Sequence, residues 1–249
     1  MACHSAGKGS GAACVKDARQ YREFMRFPDR AGVMILDGCP LFPQAMVPLF
    51  IFEPRYRRLL EDALGSERMM CLAMRQPGSS QERPCKLAGL GLIRASVKNP
   101  NGTSNLVLQG VSRVRLGRAV RTKPYRVHLI EPVVEESASG PSLTAQTALV
   151  LELVGARLQM GISFPLSALL TLVGSGETKK SSVEIEDCLE AMRGLSSPGV
   201  LADVVATLFL SDAAMRQIVL QTVDVEERLR HVAHFLMAEI HRLQKKPVQ

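Results

Sequence analysis

The chain has 249 residues, 46% of them apolar and 22% charged, with a formal net charge of +7. That composition excludes a wholly disordered protein and leaves room for one large domain or two small ones, each burying a core. The longest uncharged stretch, 158–176, is interrupted by Gln159, Ser163, Pro165 and Ser167, and the apolar run 200–210 by Asp203; neither supplies the ~20 apolar residues of a membrane span, so a soluble protein with no membrane partner is expected.

Residues 1–30 are rich in Gly, Ala, Ser and charge. They read as a tail, flexible at least over 1–15, with a short helix at 21–27 packed on the next domain. The tail lacks the 7–15-residue apolar core of a signal peptide. The six cysteines, Cys3, Cys14, Cys39, Cys71, Cys85 and Cys188, are scattered without a C-x-x-C. A cytoplasmic location is therefore expected, with neither a zinc site nor a disulfide framework.

From Val33 to Glu131 the pattern is mostly β, with short apolar stretches at 33–36, 46–52, 69–74, 90–97, 106–109 and 113–120 separated by Gly, Pro and Asn clusters. Asn99-Pro100-Asn101-Gly102 marks a hairpin turn, Asn-Gly being suited to positive φ. One helix interrupts the strands at 54–64, started by Pro54, whose missing N–H costs nothing at a first helical position. Tyr56, Leu59, Leu60, Ala63 and Leu64 share one face of it, and Arg55, Arg58 and Asp62 lie opposite. The expectation is a small barrel-like β unit over 31–134, closed by the apolar face of that helix.

Beyond Glu131-Pro132, the stretch 135–142 with Gly140-Pro141 reads as a linker, and the apolar period changes from 2 to 3.6. Helices are predicted at 143–160, 184–193, 198–209, 212–220 and 224–246, with Asp212 and Asp224 capping the last two. Segment 174–182 is expected to be flexible. The fold class is thus α+β, a β-barrel-type N-terminal unit followed by an α-helical bundle over 143–246.

Charge is uneven along the chain. Residues 75–131 carry eleven basic side chains against two acidic ones, a net +9, whereas 132–249 net −4. In Arg113-Val114-Arg115-Leu116 a strand would bury Val114 and Leu116 and expose the two guanidiniums, with Arg118, Arg121, Lys123 and Arg126 extending the positive field. Arg113, Arg115 and Arg118 are candidate anion-binding residues; the alternative is a solvated strand face turned toward the acidic helical region. Base-stacking aromatics are nearly absent, with Tyr125 alone close by and no Trp in the chain, which weakens a nucleic-acid reading.

No other constellation carries chemistry. Residues 174–182 look superficially like a phosphate loop, but Thr178 stands where the glycine before the lysine belongs. Gly194-Leu195-Ser196-Ser197-Pro198-Gly199 misses the G-x-S-x-G spacing by one residue, and Ser196 or Ser197 is better explained as a helix cap. Of the candidate ligands His231, His234, His241 and Glu227, the last three fall on the side of the final helix opposite its apolar stripe, a solvated face rather than a metal site. Arg55, Arg57 and Arg58 sit at the positive end of a helix dipole, where Arg57–Glu61 and Arg58–Asp62 pairs would offset the repulsion. No catalytic residue and no cofactor is predicted.

Three ordered stretches resemble one family. VMILDGCPLFPQAMVPLFIFEPRYRRLLEDAL, from Val33, is similar to the opening strand, Leu-Phe-Pro turn, Pro-Leu-Phe second strand and first helix of the Lon protease N-terminal substrate-binding region. NGTSNLVLQGVSRVRL resembles the family's next strand pattern, and LADVVATLFLSDAAMRQIVLQTVDVEERLRHVAHFLMAEIHRLQ its closing helices. The matches span roughly 33–245. Asp37-Gly38-Cys39 departs from the family's more apolar or proline-bearing start, and the tail 1–30 is extra.

The resemblance implies a PUA-like β unit followed by a helical bundle. It also implies a non-catalytic module that binds unfolded, misfolded or tagged polypeptide, or acts as an adaptor beside a protease or chaperone. By the same resemblance the helix at 54–64 lies beside the surface that meets protein substrates, which makes Arg55, Arg58 and Phe52 the expected substrate-binding residues. One of Phe42, Phe50 and Phe52 is expected to remain exposed there. Because the sequence ends with these helices, the expectation is a stand-alone version lacking the ATPase and peptidase domains. RNA binding through 75–131 is the alternative, since PUA-like folds often bind RNA.

Overall fold

The computed structural model describes residues 27–79, 82–135, 139–161 and 184–245. The flexible part of the expected tail and segment 174–182 lie outside the described residues, as does all but the last residue of the short helix expected at 21–27. Six strands form one mixed sheet: β1 (Arg30–Leu36), β2 (Met46–Ile51), β3 (Met69–Met74), β4 (Leu87–Lys98), β5 (Ser104–Arg121) and β6 (Arg126–Pro132), in the order β2-β5-β4-β3-β1-β6. Only β1 and β3 run parallel, and β5 makes a further antiparallel pairing with β6. Helix α1 (Pro54–Leu64) carries the chain between the antiparallel β2 and the parallel pair. Its buried residues, Tyr56, Leu59, Leu60 and Ala63, are four of the five its 3.6-residue period predicts, and the fifth, Leu64, is half-buried at the helix end. Tyr56 is fixed from its tip as well: its hydroxyl donates to the Ile35 carbonyl and accepts from the Ile35 N–H, both at 3.1 Å.

Strand β5 is one 18-residue element where the sequence suggests two. Its first half pairs with β2 and its second half with β6. Gly110, read as punctuation, sits mid-strand because the loop at Leu41–Phe42 crosses directly over it; a Cβ there would lie 1.9 Å from the Phe42 carbonyl oxygen. Strand β6 is absent from the sequence-based expectation because its residues do not separate into an apolar and a polar face. His128 is buried there, with Nδ1 2.8 Å from the Gly117 carbonyl.

Five helices complete the order: α2 (Pro141–Gln159), α3 (Ile185–Arg193), α4 (Pro198–Phe209), α5 (Ala213–Gln221) and α6 (Val225–Gln244). Their ends are capped as the sequence indicates. Ser197 accepts from the Val200 N–H at 3.3 Å, Asp212 from Ala214 and Met215, and Asp224 from Glu227 at 2.7 Å. Their core is built from Val150, Val154, Val205, Val219, Leu229, Val232 and Leu236, among others. None of the described helices is long and apolar enough to cross a membrane.

The sheet and the helices are not held apart by a free linker. Leu41 packs in the core under α1, while its neighbour Phe42 packs in the helical core. Residue Glu135, placed in the linker by the sequence, accepts from both Arg113 of β5 (2.8 Å) and Arg228 of α6 (2.6 Å). The chain is therefore anchored where it leaves the sheet.

Candidate functional site

Arg113 is not an exposed cation: it is 2% exposed. Its guanidinium forms a two-pronged pair with Asp203 of α4, bonds Glu135, and donates from Nε to the Leu220 carbonyl at 3.1 Å. Arg228 completes the group, 3.6 Å from Asp203 and bonded to the Thr222 and Val223 carbonyls. Two guanidiniums and two carboxylates cancel in charge. Burial pushes the Asp203 carboxyl up from its ordinary range while Arg113 and Arg228 pull it back. The basic strand does face the acidic helical region, but at Arg113 through a direct ion pair with the buried Asp203 rather than across solvent. Strand alternation identifies the side of the sheet correctly and cannot show what packs there. Arg115 and Arg118 are exposed.

Arg55 is likewise engaged. Its Nε donates to Glu53 at 2.8 Å and its terminal nitrogens grip both oxygens of Glu82, holding the Glu82 carboxyl below its ordinary value. These bonds fasten α1 to the segment before β4 and engage the guanidinium that is expected to meet substrate. Arg58 is exposed and pairs with Asp62 at 3.1 Å, the predicted i,i+4 partner. Glu61 pairs with Lys98 rather than Arg57, whose Nε donates to the Phe52 carbonyl at 2.8 Å.

What the structure brings together around Phe52 is apolar. Phe52 is 57% exposed, Phe50 55% and Met46 49%, whereas Phe42 is buried. Along β2, Met46, Pro48 and Phe50 alternate with the inward Val47, Leu49 and Ile51. The pairing register places Phe50 beside Asn105, Pro48 beside Val107 and Met46 beside Gln109; on β4, Val97 stands beside Asn105 and Ala95 beside Val107. Val97 is the most open of these, at 65%. The outer face of β2, β5 and β4 thus presents Met46, Pro48, Phe50, Ala95, Val97 and Val107, with the Phe50 and Phe52 rings stacked 6.1 Å apart at one end. Charge rims this end from Arg57, Lys98 and Glu61, and the Met46 end from Arg94, whose Nε donates to Gln109. Single exposed apolar residues are ordinary; a contiguous set on one sheet face marks a binding surface.

The same strand is an edge. Beyond β2 no described strand pairs with it. Ala45 accepts from the Gly110 N–H at 2.8 Å, so by alternation 47, 49 and 51 bond β5 while 46, 48 and 50 turn their backbone groups outward. Pro48 sits where no N–H is needed for the ladder. Sequence reasoning takes Phe52 as a site residue and expects one exposed ring among Phe42, Phe50 and Phe52, where the structure exposes two, Phe50 and Phe52. The signal present in the sequence is the unbroken apolar run from Met46 to Phe52 with a proline inside it, which places apolar residues on both faces of an edge strand.

The remaining polar constellations satisfy themselves. In a cleft of about 780 Å³ between α1 and the start of β1, the Tyr125 hydroxyl donates to Asp62 at 2.5 Å and Arg121 lies over the Tyr125 ring at 4.3 Å. On α6, His231 is 3.9 Å from Glu227, and His234 and His241 face solvent.

Comparison with known proteins supplies the context. Residues 31–238 match the family model of the ATP-dependent protease La (LON) substrate-binding domain. The chain is 23% identical over 231 residues to the Lon protease of Dictyoglomus thermophilum, covering 92% of this chain and 27% of that protein. It is 28% identical over 227 residues to Lon protease 2 of Sorangium cellulosum, covering 88% and 26%. It thus spans about a quarter of the length of these relatives. Among solved structures, the N-terminal domain of Mycobacterium avium complex Lon protease superimposes with a TM-score of 0.60 at 21% identity, covering 84% of this chain and 98% of that one. The Lon N-terminal domain protein from Xanthomonas campestris gives 0.54 at 19% identity, covering 83% and 98%. At these identities the structures speak for the fold alone.

Proposed function

From the membership of this chain in the Lon substrate-binding domain family, we propose that it is a non-catalytic polypeptide-recognition module whose capture surface is the outer face of β2, β5 and β4. The observation that carries the reading is the row Met46, Pro48, Phe50 on an edge strand, continued across the sheet by Val107 and Val97. Such a face gains free energy by taking apolar side chains out of water, which an unfolded chain offers and a folded one does not. The open backbone edge adds a second attraction for extended chain. Phe52, stacked on Phe50, extends this surface. The module hands its polypeptide to a protease or chaperone rather than cutting it.

The test is binding of a reduced, alkylated, permanently unfolded model protein to the wild type and to Phe50→Asp with Phe52→Asp. The double variant should bind at least tenfold more weakly, about 1.4 kcal/mol, with its thermal unfolding little changed because both rings are already exposed. Affinity should vary little between low and high salt. A steep salt dependence, abolished by reversing Arg115 and Arg118, would instead mean that an anionic polymer such as RNA is held on the basic strand.

A further inference from the structure

A second concave site lies on another part of the molecule, where the sheet meets the helices. A groove of about 410 Å³ runs between the β3–β4 connection, through Met74, Gln76, Pro77, Cys85 and Lys86, and one stripe of α5. That stripe is Ala214, Gln217, Ile218 and Gln221, spaced i, i+3, i+4 and i+7 along one side of the helix. The volume falls in the range of sites that take a small ligand or one or two residues of a peptide.

Three features define what fits. The walls are apolar at Met74, Pro77 and Ile218, and Ile218 is 41% exposed although it belongs to a packed helix. Gln217 is 4% exposed, and its Nε2 donates to the Leu87 carbonyl at 3.1 Å. That carbonyl needs a donor, so the orientation of the amide is fixed and Oε1 is the atom left over. Oε1, on a side chain that lines the groove, has no hydrogen-bond partner among the described residues, a buried acceptor whose missing bond an incoming N–H would supply. Third, the lining contains one cation, Lys86, and no acid; Lys86 is exposed and makes no ion pair among the described residues.

An apolar side chain, an N–H and a carboxylate on adjacent atoms are what the last residue of a polypeptide carries. We propose that this groove binds the free C-terminus of an apolar-ended polypeptide, its side chain against Met74, Pro77 and Ile218, its last amide N–H on Gln217 Oε1 and its carboxylate on Lys86. The site is separate from the β2 face and does not rest on that reading; it would let the module take hold of a chain end as well as an internal apolar segment.

The experiment uses the full chain and a fluorescein-labelled heptapeptide ending in Ala-Leu-Leu, followed by fluorescence anisotropy. The free acid should bind at least tenfold more tightly than the C-terminal amide. N-methylation of the last peptide nitrogen, which removes the N–H, should cost a similar factor. Lys86→Glu should erase the preference for the acid, and Ile218→Asp should weaken acid and amide alike; both side chains are exposed, and circular dichroism checks that the variants fold. Phe50→Asp with Phe52→Asp should leave this binding unchanged. Equal affinity for acid and amide, indifference to N-methylation, absence of binding, or loss of binding in the Phe50/Phe52 variant would each overturn the assignment.

Discussion

Arg113 shows how one side chain can hold two halves of a molecule together at a cost. Its guanidinium, with Arg228, Asp203 and Glu135, gives up hydration that only complete pairing offsets. Removing one member leaves its partners charged and buried, so Asp203→Asn should destabilise the protein by roughly 3–5 kcal/mol in urea denaturation. Replacing Arg113 and Asp203 together by Met and Leu should cost less than the sum of the single changes, because no lone charge remains. An additive double variant would show that the four groups do not act as a unit. Arg55 and Glu82 make a more exposed version of the same contact. Their bond lowers the folded-state pKa of Glu82, so its stabilisation is present above the unfolded carboxylate value and is lost as pH falls through the folded one. Between pH 6 and pH 3 the melting temperature of Glu82→Gln should therefore fall less than that of the wild type.

At the level of elements, β2 combines the proposed capture face with an edge that no described strand pairs, and Pro48 is its safeguard. An edge strand with its full complement of outward N–H groups is a template for pairing with other chains. Pro48→Val would add one such donor between Met46 and Phe50, and light scattering on warming should show earlier self-association than in the wild type; unchanged aggregation would mean that the edge is covered. The helices are legible in the sequence because period and caps agree: Ser197, Asp212 and Asp224 each accept the bonds their positions predict. The α1 face is legible for the same reason. Less of the candidate site can be read. Alternation reports which side of a strand a residue takes, not what stands opposite, so it assigns Arg113 to solvent although Asp203, ninety residues later in the chain, covers it. Arg55 is expected at the substrate surface from the family resemblance, and its pairing with Glu82 is not legible because Glu82 belongs to another segment. The apolar face is largely invisible because its strands come from three places in the chain and meet only through register.

For the whole molecule, the shared contacts at Leu41–Phe42 and at Glu135 predict that the sheet and the helices unfold together. The chain has no Trp and three Tyr, two of which, Tyr56 and Tyr125, lie in the sheet unit. Tyrosine fluorescence should thus follow the sheet while circular dichroism at 222 nm follows the helices. Coincident transitions in urea are expected; two separated midpoints would show that the contacts do not couple the halves.

Strand β5 gives this coupling a direction. From Val107 in the proposed capture face to Arg113 at the helical contact is six residues of one strand, about 20 Å, with a register shift against β4 at Gly110–Ser112 but no loop between them to absorb a displacement. A chain held on β2 and drawn along the strand axis would load the six register pairs between β2 and β5 side by side, so they would have to slide together instead of unzipping in turn. In mechanical terms β5 is a spar. Tension applied at the capture face is delivered to the ionic joint of Arg113 and Asp203, and a grip made of individually weak contacts inherits the shear strength of the sheet beneath it.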